Sequence, residues 1–155
     1  MIKRAAEHKG TAFIEIFQNC NIFNDGAFSL LTEKDTKEDN VLYLEHGKPM
    51  IFGKEKNKGI KVDGFKPVIV DLTDGKHSES DLLVHDEFDD SPARTFMLAH
   101  LTDNPEMPTP IGVFRQLMKE TYNDGVDEQI KKITEKKGKG DLEKVLFSGN
   151  TWEVN

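Results

Sequence analysis

A single cysteine, Cys20, stands in 155 residues, so no disulfide can form within the chain. No apolar run exceeds a handful of residues, whereas a membrane-crossing helix needs ~20. The opening Met1-Ile-Lys-Arg-Ala-Ala-Glu-His lacks the apolar stretch of a signal peptide. A reducing, cytoplasmic setting is the expectation from these features together. Basic charge is also scarce: 21 Lys+Arg face 28 Asp+Glu, for a net charge of -7. No surplus remains to neutralise phosphates, which argues against nucleic acid and against anionic membrane as partners. The chain holds no P-loop, no Gly-x-Gly-x-x-Gly and no zinc-ligand spacing. What is there suits a folded protein. Hydrophobic residues make up 36% and ten are Phe, too aromatic and too interrupted by turns for a disordered chain. The length matches about one domain of ~100–200 residues, enough to bury a real core.

Residues 2–8 read as the end of a short helix with no N-cap before it, and Gly10 as its C-terminal stop. Thr11-Ala12-Phe13-Ile14-Glu15-Ile16-Phe17 is apolar but for its first residue and Glu15, which suits a strand buried on both faces of a parallel α/β sheet. Gln18-Asn19-Cys20-Asn21 follows that strand's carboxyl end, where open α/β sheets place ligands. Ala27–Leu31 suits a short helical turn, and Thr32–Asn40 a loop. Short strands are expected at Val41–Glu45, Pro49–Phe52, Ile60–Val62 and Val68–Leu72. Turn chemistry at His46-Gly47-Lys48, Lys56-Asn57-Lys58-Gly59 and Asp63-Gly64 makes them a meander or a pair of hairpins. Asp71–Ser80 is a turn-rich connection. Ser91-Pro92 opens the clearest helix, with Ser as N-cap and Pro at the first helical position. Three prolines make Asp103–Pro110 an extended linker, and Ile111–Phe114 a short strand or extended segment. Val126, Ile130 and Ile133 predict an amphipathic helix ending before Gly138. Asp141–Phe147 is a last short helix closed by Gly149, and Trp152 and Val154 are expected to dock back on the body. No repeat, low-complexity tract or flexible linker is visible, so one compact unit is expected.

Cys20 is the sharpest candidate for chemistry, because a thiolate with donors around it attacks or ligates. Gln18, Asn19, Asn21 and Asn24 can supply those donors. The competing reading is a small buried hydrophobe, the commonest fate of a free cysteine. None of the five histidines has a spacing that pairs it with Cys20. The cluster His85-Asp86-Glu87-Phe88-Asp89-Asp90 could offer oxygens to a hard cation, but lacks the spacing of a calcium loop. A solvated acidic face before a helix N-terminus is the expectation there. Lys54–Gly59 reads as a hairpin tip rather than a phosphate site, and Lys131, Lys132, Lys136, Lys137 and Lys139 as a solvated face.

The segment His8–Asp25, with its run Gly10-Thr11-Ala12-Phe13-Ile14-Glu15-Ile16-Phe17-Gln18-Asn19-Cys20-Asn21, resembles part of the beta subunit of 2-oxoacid:ferredoxin oxidoreductases. The 2-oxoglutarate branch is the nearest in pattern. Further matches follow in order: Gly47-Lys48-Pro49, Gly59-Ile60-Lys61, Asp63-Gly64-Phe65-Lys66-Pro67, Asp81–Asp86, Pro110–Phe114 and Gly149-Asn150-Thr151-Trp152. The resemblance covers the C-terminal half of that subunit only. It implies an α/β fold: the C-terminal part of a thiamine-pyrophosphate-binding domain, with an antiparallel β-hairpin excursion and C-terminal helices. Residues 1–40 would be the last core strand and cluster-ligand loop of that domain, and 41–155 the beta subunit's C-terminal domain. It implies Cys20 as the fourth thiolate of a 4Fe–4S cluster, a cofactor and metal ligand, although Gln18-Asn19 stands where some members have Ser-Pro. Asn24 would line the approach between thiamine pyrophosphate and the cluster.

The family's other cluster cysteines and its thiamine and Mg2+ motif belong to a first half not found in this sequence. The implied activity of the complete protein is oxidative decarboxylation of a 2-oxoacid to an acyl-CoA, with electrons passing to ferredoxin and an alpha subunit as partner. No catalytic residue is assigned to this chain, and the isolated chain is expected to be inactive. Two alternatives stand beside this reading: a non-catalytic subunit-interaction module of the same descent, and a thiol redox sensor built on Cys20.

Overall fold

Leu42, Leu44, Met50, Phe52, Ile60, Leu98 and Leu101 form the buried cluster around which the larger part of the chain is organised. They come from elements far apart in sequence. The computed structural model describes residues 1–154. Three short helices come first: α1 (Ile2–Glu7), α2 (Ser29–Thr32) and α3 (Lys37–Asn40). Strands β1 (Val41–Leu44), β2 (Ile51–Phe52), β3 (Lys58–Asp63) and β4 (Lys66–Asp71) follow, then α4 (Pro92–Ala99), β5 (Thr109–Gly112), α5 (Tyr122–Lys137) and α6 (Leu142–Leu146).

β2, β3 and β4 form an antiparallel meander in the expected place. The β3–β4 hairpin closes on the two-residue turn Gly64-Phe65, with Asp63 opposite Lys66. β1 lies outside that meander. It pairs in parallel with β5, Val41 opposite Thr109 and Leu44 opposite Gly112. Parallel partners need a long crossover, and here it carries the meander and α4. Ser91 caps α4 as its sequence predicts, its hydroxyl accepting from the Ala93 N–H at 3.3 Å. α4 and the turn after it bury Leu98 and Leu101 in the core, while Phe96 stays 67% exposed.

Several expectations are corrected. Residues 11–17 form no strand: they are exposed and outside any regular element, and no strand among the described residues pairs with them. The parallel pairing of this α/β chain is between β1 and β5 instead. The presumed loop Thr32–Asn40 contains α3, whose carbonyls are partly satisfied by the Asn40 side chain bonding the Thr36 carbonyl at 2.8 Å. Trp152 and Val154 do not dock: they are 83% and 88% exposed.

The chain also divides into two compact units rather than one. The first comprises Met1–Glu7 and Phe13–Leu117 and holds the core. The second comprises His8–Ala12 and the chain from Met118 onward. Its main element, α5, begins at a capping box. The Thr121 hydroxyl donates to Asp124 at 2.7 Å, which holds that carboxyl below its usual range. α5 ends at Gly138, whose φ of 79° favours glycine. The amphipathic pattern forms the helix as expected, yet α5 and α6 contribute no buried residue.

Candidate functional site

Cys20 opens a tight turn that it closes by an antiparallel bridge with Asn24. The Asn24 N–H donates to the Cys20 carbonyl at 2.9 Å, closing the turn over Asn21, Ile22 and Phe23. This places Cys20 where a helix carries its N-cap, with amide N–H groups unpaired by backbone. The turn is held from outside by Asn19. Its side chain donates to Asp25 at 2.9 Å and accepts from the Gly26 N–H at 2.9 Å. Gly26 has a φ of 76°, which lets the chain leave the turn at that clamp. Phe17 packs against Phe28, ring centroids 5.1 Å apart, tying the two ends of the loop.

The thiol is free and only partly buried, which overturns the reading of Cys20 as a buried hydrophobe. Amide N–H groups directed at the sulfur, Phe23 first and Ile22 next, hold the thiol below its ordinary range. Partial desolvation pushes the other way, and the Asn24 amide adds a smaller downward effect. The donors are therefore backbone groups, not the Gln18, Asn19, Asn21 and Asn24 side chains that the sequence suggested. Asn24 contributes its amide, and its residue is exposed. The arrangement favours the thiolate, the form a metal ligand takes, through backbone N–H groups and not through a histidine or a cation.

A testable consequence follows from the direction of that shift. The folded pKa lies below that of the unfolded thiol, so the turn stabilises the protein when Cys20 is ionised and loses that contribution as pH falls through the folded pKa. Alkylation of Cys20 by iodoacetamide should accordingly reach half its maximal rate at a lower pH in the folded chain than in urea. Coincident profiles would show that the turn does not stabilise the thiolate.

The cluster at 85–90 is not the solvated face expected. His85 and Glu87 are buried, 3% and 6% exposed. The His85 Nε2–H donates to the Val113 carbonyl at 2.8 Å, which fixes the tautomer, since a carbonyl only accepts. Glu87 receives both forks of the Arg4 guanidinium, at 2.7 and 3.2 Å, and Arg4 also donates to Gln116 at 2.6 Å. These two side chains tie α1 and the segment after β5 to the residues that follow β4. They are structural, and sequence spacing alone could not separate them from their solvated neighbours. Among the described residues, no group of three or more His, Cys, Asp or Glu is placed to hold a metal ion. No helix among them is long and apolar enough to cross a membrane.

Fold and site together describe a mixed α/β chain with one free, partly buried thiol at a turn. Across 157 aligned residues the chain is 33% identical to 2-oxoglutarate oxidoreductase subunit KorB of Mycobacterium tuberculosis, the match taking in 100% of this chain and 41% of that protein. The resemblance to the oxidoreductase beta subunit read from the sequence is thus borne out. The chain spans about two-fifths of the length of the curated relative it matches. No family model matches the chain, and no solved structure matches it.

Proposed function

We propose that this chain is the C-terminal part of a 2-oxoacid:ferredoxin oxidoreductase beta subunit acting on 2-oxoglutarate. The observation that carries the reading is the match to KorB along the whole of this chain. Residues 1–40 go with the cofactor-binding part of the subunit, and 41–155 form its C-terminal domain. The complete protein decarboxylates the 2-oxoacid oxidatively, yields an acyl-CoA and reduces ferredoxin in the cytoplasm, with an alpha subunit as partner and neither nucleic acid nor membrane involved. Thiamine pyrophosphate with Mg2+ supplies the electron sink for decarboxylation, and a 4Fe–4S cluster the one-electron path outward.

The residues present fit one corner of that cluster. Cys20 is partly exposed, held at a turn and poised as a thiolate by backbone N–H groups, which is what a cluster ligand needs. The same N–H groups would temper the charge on a ligating sulfur, a lever on reduction potential. A cluster takes four thiolates, and this sequence has one. The other three, and the thiamine and Mg2+ ligands, must come from polypeptide equivalent to the part of KorB that the chain does not match. The chain's own work is to present Cys20, with Asn19 and Gly26 fixing its direction and Asn24 beside the path between the cofactors. Alone it is inactive.

The test is reconstitution. The chain is co-produced with the unmatched portion of KorB and an alpha subunit, and the complex assayed for iron and for 2-oxoglutarate-dependent ferredoxin reduction. Cys20→Ser should lower bound iron and abolish reduction, and Asn24→Ala should slow turnover or move the cluster's potential. Equal iron and equal turnover in the Cys20→Ser complex would sink the ligand assignment. A stable complex with neither iron nor activity would establish the interaction module instead.

A further inference from the structure

α5 carries one apolar stripe that the described residues leave largely open. Tyr122, Val126, Ile130 and Ile133 fall within about 80° of one another around the helix axis, at roughly 3.6 residues per turn. Tyr122 is 85% exposed, Ile130 58% and Ile133 51%. A helix of 16 residues gains little from its own backbone bonds, and packing of such a stripe is what stabilises it. Charge is divided along the same helix. Asp124, Asp127 and Glu128 lie in its first half, while Lys131, Lys132, Lys136 and Lys137 lie in its second beside Glu135. Asp124 is committed to the cap with Thr121, and Lys132 reaches Glu128 of its own helix at 2.7 Å. Asp127 and Lys131 stand one turn apart on one flank of the stripe, and among the described residues neither forms an ion pair.

We propose that α5 pairs along this stripe with the α5 of a second copy of this chain, the two helices antiparallel. Charge selects that occupant. A helix acidic in its first half and basic in its second is complementary to itself when reversed, whereas a parallel pair sets like charges side by side. Turned end for end about the middle of the helix, Val126 comes level with the partner's Ile133, and Ile130 lies beside the partner's Ile130. Tyr122 comes level with the aliphatic stem of the partner's Lys137. On one flank Asp127 then meets the partner's Lys131, about 1.5 Å along the axis from exact level, and the two-fold axis repeats the pair. On the other flank Glu128 meets the partner's Lys132. Four apolar residues a side make a short seam against the ~20–30 residues a side of a stable interface, so the dimer is reversible and concentration-dependent. α5 contributes no buried residue, so it takes a partner without giving up a core contact.

The experiment is sedimentation equilibrium of the full chain, in reductant, over rising concentration. The chain should dimerise. Ile130→Glu should weaken the dimer at least about tenfold by placing a charge in the seam, and Lys131→Glu about three- to tenfold by setting like charges together. Asp127→Lys combined with Lys131→Glu rebuilds the reciprocal pairs and should return the affinity to within about threefold of the parent. Ile130, Asp127 and Lys131 are exposed, so the urea midpoint of the first unit should stay in place in every variant. Orientation is read by oxidation in a Cys20→Ser background: Val126→Cys mixed with Ile133→Cys should cross-link, and neither should cross-link by itself. A chain monomeric at every concentration overturns the proposal. So does a dimer indifferent to Ile130→Glu, or one in which Val126→Cys cross-links to itself, the mark of a parallel pair. A monomer that binds the separately produced unmatched portion of KorB, and loses that binding through Ile130→Glu, gives the stripe to that polypeptide and also overturns the self-pairing.

Discussion

Leu42→Ala should destabilise the first unit by about 2–5 kcal/mol, the largest effect expected of any single truncation in the chain. Leu42 is 0% exposed and belongs to the core cluster, on the strand that pairs with β5. Its fellow core residues Met50, Phe52, Ile60, Leu98 and Leu101 come from the residue before β2, from β2, β3 and α4, and from the turn after α4. Those elements cannot all collapse into one vacancy, so the cost combines lost transfer energy with a residual cavity. Urea unfolding followed by far-ultraviolet circular dichroism measures it. Leu142→Ala, at a leucine 74% exposed on α6, serves as the comparison and should change the midpoint little. Equal shifts in the two variants would mean that the core is not where the structure places it.

The second large effect is Gly112→Ala, about 2–6 kcal/mol. Gly112 ends β5 with a φ of 152°, a conformation that residues with a Cβ rarely adopt. A Cβ there would also meet the Leu44 carbonyl oxygen at 2.7 Å and the Leu44 Cβ at 2.8 Å. The obstacle is backbone and a buried Cβ, neither of which can swing away. Backbone strain of about 1–3 kcal/mol and overpacking of about 1–3 kcal/mol therefore act together. The variant should lose protection from hydrogen exchange along Val41–Leu44, where β1 pairs with β5. Gly140→Ala is the control, since its Cβ would meet nothing within 4 Å. Retained protection in Gly112→Ala would show that the parallel pair does not need a glycine there.

Both effects fall on the parallel pair, which the sequence reading did not locate. The meander was legible because each of its strands is short, β-rich and bounded by a turn dipeptide or tripeptide. α4 was legible from Ser91-Pro92, and α5 from its apolar spacing and Gly138. These are local signals, decided by neighbours within a few residues. Pairing of β1 with β5 joins residues almost seventy positions apart, and no local pattern encodes it. The burial of His85 and Glu87 failed to show for the same reason. Glu87 is interior only because Arg4, far along the chain, supplies two donors to it.

At the candidate site, Cys20 was legible by its place after an apolar run, and the surrounding chemistry only in part. Polar neighbours in the sequence suggested side-chain donors. The structure uses Asn19 to clamp Asp25 and Gly26 instead, and leaves the thiol to backbone amides. Side-chain identity says which groups can donate, and the turn decides which of them point at the sulfur.

The amino-acid sequence by itself determined the short-range elements, the turn chemistry and the resemblance to an oxidoreductase subunit, because these depend on residue type and spacing along one stretch of chain. Only the tertiary structure decided that β1 runs beside β5, that Arg4 neutralises a buried Glu87, and that Phe13–Phe17 stands without a partner. Each of those depends on which distant segments come together, and burial, charge pairing and strand formation are properties of the assembled surroundings rather than of the segment alone.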